Sequence, residues 1–149
     1  RRPAAGARGR TPVSLVVDSS VVLKWVLPEP GRERALALIG EKALFAPDLL
    51  LVECADVLAV RAEQGRMSDA QAQAGLRLIR SVAGLLVRPG EPYIEAAQAL
   101  ALELRQSAHA CLYLAMALAE GRRLATADAA FAEAVEAHGV HARVLRRLD

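Results

Sequence analysis

The chain has few aromatic residues, few cysteines and no long uninterrupted apolar run. Phe, Trp and Tyr make up 3% of its 149 residues, whereas 54% of the residues are hydrophobic. The core must therefore be aliphatic and rich in Ala, Leu and Val, and abundant Ala favours helices. A chain of this length can close one hydrophobic core without disulfides, so the sequence predicts a single domain.

The two cysteines lie in apolar, helix-like segments. Cys54 and Cys111 show neither a Cys-x-x-Cys pair nor a Cys/His spacing typical of a metal site, so we expect reduced, buried thiols. Asp18 and Lys24 interrupt the apolar run near the N-terminus, which argues against an export signal. No stretch approaches the roughly 18 apolar residues of a membrane span. The sequence therefore predicts a soluble, cytoplasmic protein with no membrane partner.

Positive charge is concentrated near the N-terminus. The formal net charge is +2, but residues 11–149 carry 15 basic and 17 acidic side chains. Since the body of the chain is not globally basic, an RNA partner would have to meet a local basic patch or the tail. We expect residues 1–11 to be a flexible basic tail or an expression remnant, followed by a single domain over residues 12–149.

Segments typical of strands and helices alternate along the chain with short connections. Short apolar or β-branched segments predict strands over residues 13–17, 43–46, 84–88, 122–126 and 142–145. Segments bounded by Pro, Gly and capping residues predict helices over residues 19–27, 31–41, 48–64, 68–81, 92–105, 107–120 and 129–138. This alternation favours an α/β fold with a central parallel sheet covered by helices on both faces.

Acidic residues follow two of the predicted strands. Asp18 comes directly after Leu15-Val16-Val17, and Asp128 follows the strand that ends at residue 126. Ligands of open parallel sheets bind beyond the carboxyl ends of the strands, where these two carboxylates would lie. Taken singly, an Asp at such a turn is more often a helix cap, and Asp48 fits that simpler role best.

A third acid, Glu53, lies inside the apolar segment of residues 49–58. Burying a lone carboxylate is costly unless it is paired, protonated or bound to a metal, so Glu53 is a candidate functional residue. Asp56 follows one helical turn later on the same face, which leaves open the alternative of a short polar stripe in contact with solvent.

Four short segments, taken together and in order, resemble a known family. They are residues 16–21, residues 46–53 with Asp56 where the family often has Asn, residues 111–117 and residues 126–128. After its tail the chain resembles a VapC-type PIN domain over nearly its whole length. The resemblance implies a three-layer α/β/α sandwich whose acidic residues gather at one end of a parallel sheet.

The resemblance also implies a metal-dependent site for phosphodiester hydrolysis. Asp18 and Glu53 would hold Mg²⁺ or Mn²⁺ directly, and Asp128 would bind the ion or position a water. Hard divalent cations prefer carboxylate oxygens, and a bound cation lowers the pKa of an attacking water and neutralises charge on the phosphate. Further polar residues expected at this site are Ser19, Asp56 and Thr126.

The chain departs from the family pattern at Ala110. The family commonly has Asp before the segment that here reads Cys111-Leu112-Tyr113-Leu114-Ala115, and that Asp is a further metal ligand. Removing one carboxylate weakens divalent-cation binding, so we expect catalysis to be impaired. A deliberate Asp→Ala change that allows a toxic nuclease to be produced and a naturally degenerate site both fit. The neighbouring His109 is more simply explained as a partly exposed packing residue than as a replacement ligand.

The first functional hypothesis is a type II toxin that acts as a metal-dependent endoribonuclease on a tRNA- or rRNA-class substrate. By family analogy it would form a homodimer and be inhibited by a VapB-type antitoxin. The alternative is a PIN-fold protein that has lost catalysis and binds RNA or a partner. A receiver-type phosphoacceptor domain is a weaker rival, because Asp18 is followed by Ser19 rather than by a second acid.

Overall fold

A computed structural model describes residues 14–40 and 43–149 of the chain. Five parallel strands in these residues form one sheet in the order β3-β2-β1-β4-β5. The strands are β1 (Leu15–Val17), β2 (Leu44–Pro47), β3 (Leu85–Arg88), β4 (Arg123–Thr126) and β5 (Leu145–Arg147). The predicted tail, residues 1–11, lies outside the described residues.

Seven α-helices accompany the sheet in the described part of the chain. They are α1 (Ser19–Val22), α2 (Arg32–Leu36), α3 (Leu49–Glu63), α4 (Asp69–Ser81), α5 (Ile94–Leu104), α6 (Ala108–Glu120) and α7 (Ala129–His138). Helix α3 packs against α4, α5 packs against α6, and α6 also lies against β1, β2 and β4. The arrangement confirms the predicted three-layer α/β/α sandwich with a central parallel sheet.

Burial on both faces of the sheet explains why its central strand is continuously apolar. All three residues of β1 are fully buried, and residues 111–117 of α6 are all buried between the sheet and α5. Successive strand residues point to opposite faces, so a fully buried strand requires a layer on each side. None of the helices in residues 14–40 and 43–149 has the length and apolarity required to cross a bilayer.

Three predicted elements differ from the structure. The predicted helix over residues 19–27 divides into α1 and a 3₁₀-helix, Leu23–Trp25, and Pro28 disfavours helical geometry at the residue before it. The predicted helix over residues 31–41 has α-helical geometry only in α2, and residue 41 lies outside the described residues.

The fifth strand is displaced toward the C-terminus from the predicted residues 142–145. Ala142–Val144 form a 3₁₀-helix, and β5 begins at Leu145 because that residue pairs with Leu124 of β4. The pairing places Arg147 beside Thr126 at the carboxyl edge of the sheet. In the first strand, residue 13 lies outside the described residues.

The strand order creates a crevice between β1 and β4. From β1 the sheet continues through β2 and β3 on one side and through β4 and β5 on the other. The chain therefore reverses its direction of travel across the sheet between these two central strands, and loops leave their carboxyl ends in opposite directions. Open α/β sheets bind ligands at such a switch point, where Asp18 and Asp128 follow the two strands.

Replacing Leu114 by Ala tests the central role of α6 in the core. Leu114 is fully buried, so the change should lower the free energy of unfolding by about 2–5 kcal/mol through lost burial and a residual cavity. The matched control is Leu102→Ala on α5, where the side chain is 62% exposed and the cost should be below about 0.5 kcal/mol. Urea unfolding measures both, and equal costs would contradict the packing described here.

Candidate active site in an acidic cleft

A cleft of about 180 Å³ opens at the carboxyl edge of the sheet, beside the crevice between β1 and β4. Its walls include the three predicted acids, Asp18, Glu53 and Asp128, together with Ala110. These residues come from the ends of β1 and β4, from α3 and from the first turn of α6. The structure therefore brings together the residues that the sequence predicted as one site.

Asp18 is held by hydrogen bonds to both carboxylate oxygens. The hydroxyl of Ser20 and the backbone N–H of Val21 donate to Oδ1, and the hydroxyl of Thr126 donates to Oδ2. Asp18 is thus both the N-cap of α1 and a member of the cleft, so the two interpretations of this residue are compatible. Since Thr126 ends β4, its bond to Asp18 joins the two central strands at the switch point.

The environment of Asp18 disfavours its ionised form. Burial raises the pKa of Asp18 to about 6, although the hydrogen bonds from Ser20, Thr126 and Val21 lower it, and the negative charge of Asp128 raises it further. Within the described residues no Lys or Arg side chain pairs with any of the three acids of the cleft. A cation in the cleft would supply the missing opposite charge.

Glu53 is positioned by Tyr113, which the sequence analysis did not name as a site residue. The buried hydroxyl of Tyr113 donates to Oε1 of Glu53. Burial and this hydrogen bond to Glu53 raise the pKa of Tyr113, so the phenol remains protonated and acts as a donor. Helical spacing could have identified Tyr113 from the sequence. It lies three residues after Ala110 and therefore faces the same cleft.

Asp128 is the most exposed of the three acids. Its Oδ1 accepts the backbone N–H of Phe131 at 3.0 Å, so it caps α7. The backbone N–H of Asp128 donates to the hydroxyl of Thr126 at 3.1 Å, which ties this residue to the group that holds Asp18. The second oxygen of the Asp128 carboxylate has no such protein partner among the described residues, and Asp128 lines the cleft.

Ala110 lies at the first turn of α6, where Ser107 caps the helix by accepting the backbone N–H of Ala110 at 3.2 Å. Ala110 and His109 both line the cleft. An acid at position 110 would therefore face the three existing carboxylates and also lie near the positive end of the α6 dipole. His109 is exposed, and its interpretation as a packing residue and not a ligand stays a prediction.

Two predicted polar residues lie differently from expectation. Ser19 lines the cleft, but the serine that donates to Asp18 is Ser20, which the sequence analysis did not single out. Ser20 also accepts the backbone N–H of Ala127 at 2.8 Å, so it bridges the two strand ends. Asp56 is exposed and does not line the cleft, because it lies one turn farther along α3 than Glu53.

Asp48 corrects a further prediction. It occupies the N-cap position of α3, but its side chain makes no capping bond. Instead its Oδ1 accepts the backbone N–H of Gly90 at 3.1 Å, which links the end of β2 to the turn after β3. The residue predicted as a simple cap therefore holds a loop, and two of the three candidate ligands, Asp18 and Asp128, cap helices.

The buried thiols agree with the sequence prediction. Cys54 and Cys111 are free and fully buried. Burial raises the pKa of Cys54 to about 12, with further contributions from Glu53 and Asp18, and burial raises the pKa of Cys111 to about 11. Both groups therefore remain neutral thiols near neutral pH.

The side chains of the cleft, in the conformations that the structure shows, do not form a complete set of metal ligands. In residues 14–40 and 43–149, no three His, Cys, Asp or Glu side chains are grouped closely enough to hold a metal ion. The donor chemistry nevertheless suits a hard divalent cation, because every acidic donor is a carboxylate oxygen and Asp18 lacks a protein cation. The carboxylates of the cleft thus fit a hard divalent cation by their chemistry, and Ala110 contributes a methyl group to the same wall.

Comparison with known families decides the classification. A model of the PIN domain matches residues 15–137, which include every acid of the cleft. The chain belongs to the PIN domain family. The rival hypothesis of a receiver-type phosphoacceptor domain is therefore wrong. No curated protein sequence shows a significant match.

Solved structures share the fold of this PIN domain at low sequence identity. The protein PAE2754 of Pyrobaculum aerophilum superposes with a TM-score of 0.70 at 20% identity, covering 94% of this chain and 93% of that one. VapC20 of Mycobacterium tuberculosis, described as a toxin that cleaves the sarcin-ricin loop, gives 0.62 at 18% identity, with coverage of 80% and 94%. VapBC2 of Rickettsia felis, bound to a promoter DNA fragment, gives 0.63 at 14% identity, with coverage of 92% and 100%.

The raised pKa of Asp18 predicts a specific dependence of stability on pH. The folded-state pKa of about 6 exceeds the ordinary value of 3.8, so this group stabilises the fold below about pH 4 and loses that contribution as the pH rises through 6. Without metal, the slope from this group should approach about 1.4 kcal/mol per pH unit between those values.

Urea unfolding at a series of pH values measures this slope. Asp18→Asn should flatten the profile, whereas Asp56→Asn, which replaces an exposed carboxyl of the neighbouring helix, should leave it unchanged. Identical profiles for Asp18→Asn and the unmodified chain would contradict the burial of an ionisable Asp18.

Proposed function

We propose that this PIN domain is a VapC-type toxin, a metal-dependent endoribonuclease of a type II toxin–antitoxin pair whose activity is impaired by Ala110. The observation that carries the proposal is the convergence of Asp18, Glu53, Asp128 and Ala110 on one cleft at the switch point. PIN domains are typically nucleases that use divalent metal ions, and the VapC20 structure with the same fold is described as a toxin that cleaves RNA.

The cation of this proposal is Mg²⁺ or Mn²⁺. Asp18 and Glu53 would hold it directly, and Asp128 would bind it or position a water. When bound, the ion lowers the pKa of a water and neutralises charge on the phosphate. A cation beside Asp18 would offset the burial and the negative charge of Asp128 that raise its pKa, because a positive charge next to a buried carboxyl favours its ionised, ligating form.

The protein residues around the carboxylates orient them. Ser20 and Thr126 bond to both oxygens of Asp18, so its side chain is held in one conformation at the cleft. Tyr113 fixes one oxygen of Glu53 and leaves the other available. Such outer hydrogen bonds are a regular part of metal sites, because they set the direction and basicity of each ligand.

The proposed partners follow from the same comparisons. A VapB-type antitoxin would inhibit the toxin by placing a segment over the acidic cleft, and structures of toxin–antitoxin complexes share the fold. The RNA substrate would be of the tRNA or rRNA class, the assembly a homodimer and the location the cytoplasm. Apolar side chains exposed on α3 and α5, Val52 and Ile94, are suited to a contact between copies.

A second candidate function is a PIN-fold RNA- or partner-binding protein without catalysis. The missing acid at Ala110 and the incomplete metal grouping favour it. Retention of three acids on one cleft favours the nuclease, because their mutual repulsion costs stability that a binding surface does not require.

Restoring the missing acid separates these two candidates. Ala110→Asp should bind Mn²⁺ at least about tenfold more tightly than the unmodified chain, because a fourth carboxylate joins the cleft. It should also cleave RNA in the presence of Mn²⁺. Calorimetry and a gel-based cleavage assay provide the two readouts.

The matched control is Ala108→Asp, which adds the same charge to the same first turn of α6. Ala108 does not line the cleft, so this variant should gain neither binding nor cleavage. If Ala110→Asp gives neither cleavage nor tighter Mn²⁺ binding, the catalytic assignment of the cleft is wrong.

Two tyrosines provide a second test. Tyr113 donates to Glu53 in the cleft, and Tyr93 donates to Glu120 outside it. Phe at either position should cost about 1 kcal/mol of unfolding free energy through the lost hydrogen bond. In the Ala110→Asp protein, only Tyr113→Phe should weaken Mn²⁺ binding, by about 10- to 100-fold as for other outer-shell changes. Equal Mn²⁺ affinities of the two Phe variants would contradict the role of Tyr113 in positioning Glu53.

A further inference from the structure

An apolar cavity lies next to the acidic cleft, where the first turns of α3, α5 and α6 meet. Its volume of about 400 Å³ falls within the range of about 300–1,000 Å³ for small-ligand sites. His109 lines both cavities, so its side chain forms a wall that they share. Most of the other lining residues are apolar, namely Leu49, Ile94, Ala97, Ala108 and Leu112. We call this cavity the apolar pocket.

His109 differs from the other ring side chains of the described residues. Four of those are buried in the core, namely Trp25, Phe45, Tyr113 and Phe131. Three more contact a carboxylate, namely Tyr93, His138 and His141. The imidazole of His109 is exposed, and it makes no hydrogen bond or ion pair within residues 14–40 and 43–149. Its ring is therefore available to a ligand at the boundary between the cleft and the apolar pocket.

A phosphate held in the acidic cleft would bring a base of the same strand close to this wall, because only one ribose separates each base from its phosphate. Proteins that bind single-stranded RNA stack unpaired bases on Phe, Tyr, Trp or His side chains. The apolar side chains of the pocket suit the flat faces of a base. Gln98, which also lines the pocket and is exposed, carries both a donor and an acceptor for a base edge.

We propose that the apolar pocket binds one unpaired base of the RNA substrate, stacked against His109, while the adjoining phosphate lies in the acidic cleft. The proposal rests on the proposed function, because it extends the substrate of that cleft by one base. His109 acts here as a positioning residue. A base enters such a pocket only after it has left a helical stack, so the substrate class is single-stranded or looped RNA.

The contribution of the base is measured with two fluorescein-labelled probes. One is a short single-stranded RNA, and the other is an abasic ribose-phosphate chain of the same length, which carries the same charges. With Mn²⁺ present, anisotropy should show at least about fivefold tighter binding of the RNA, the lower limit for one stacked base. Equal affinities for the two probes would overturn the proposal.

Filling the apolar pocket should abolish this preference for RNA. Ala108 is exposed and lines the pocket but not the cleft, so Ala108→Leu places a larger side chain in the pocket alone. The matched control is Ala96→Leu on α5, because exposed Ala96 lines neither cavity and its replacement should keep the preference. An equal preference in the two Leu variants would contradict binding of a base in the pocket.

Two substitutions of His109 test the stacking contact. His109→Phe keeps a planar ring and should retain the preference for RNA over the abasic chain. His109→Ala should reduce that preference at least about fivefold. Loss of the preference in both variants would overturn the stacking role, because Phe replaces the ring but not the nitrogen atoms.

Cleavage by the Ala110→Asp protein separates this proposal from the nuclease assignment. In that background Ala108→Leu should raise KM for single-stranded RNA at least about fivefold, and Ala96→Leu should not. If Ala110→Asp cleaves RNA but the two Leu variants behave alike in both assays, the pocket does not bind a base and the nuclease assignment stands. If Ala110→Asp does not cleave but Ala108→Leu still abolishes the preference for RNA, the nuclease assignment fails and the base site stands.

A second copy of the chain is the competing occupant of the apolar pocket, because Ile94 is also suited to a contact between copies. Sedimentation velocity of Ala108→Leu tests this occupant. A lower sedimentation coefficient with the preference for RNA intact would overturn the proposal and assign the pocket to contact between copies. Loss of the preference with the sedimentation coefficient of the unmodified chain is the expected result.

Discussion

The placement of the Asp18 carboxylate is the constraint on which the candidate site depends. It lies at the switch point of the sheet, where Ser20 from α1 and Thr126 from β4 bond to its two oxygens. Burial opposes its charge, and Asp128 opposes it further. The fold therefore holds the Asp18 carboxylate in one position while favouring its protonated form. A bound cation would shift this protonation equilibrium toward the ionised form. A helix cap alone requires neither the second hydroxyl nor the burial.

Much of the architecture could be predicted because it follows from local patterns. Continuous apolar segments predict buried parallel strands, and the Ser68–Gln71 capping box marks the start of α4 where the structure has it. The acids after β1 and β4 were identifiable because the carboxyl ends of parallel strands share one edge. Glu53 was identifiable because a carboxylate in an apolar helix is costly to bury unless a partner or a metal compensates its charge.

The remaining features depend on contacts between distant segments. Ser20 donates to Asp18 two positions away, but it also accepts the backbone N–H of Ala127 just after β4, a contact that the sequence does not show, and spacing alone favoured Ser19 equally. Asp48 meets its partner Gly90 across 42 positions, so its capping interpretation was the best local one and still wrong. The fifth strand shifted because its register is set by pairing with β4 and not by its own composition.

The central claim is that the cleft is a cation site completed by position 110. The most direct measurement is an anomalous difference map from crystals of the Ala110→Asp protein soaked in Mn²⁺. The account predicts one Mn²⁺ peak in the cleft, with carboxylate oxygens of Asp18, Glu53 and the new Asp side chain at about 2.0–2.2 Å, near the range for small divalent ions. A map with Mn²⁺ bound elsewhere on the protein and none in the cleft would contradict it.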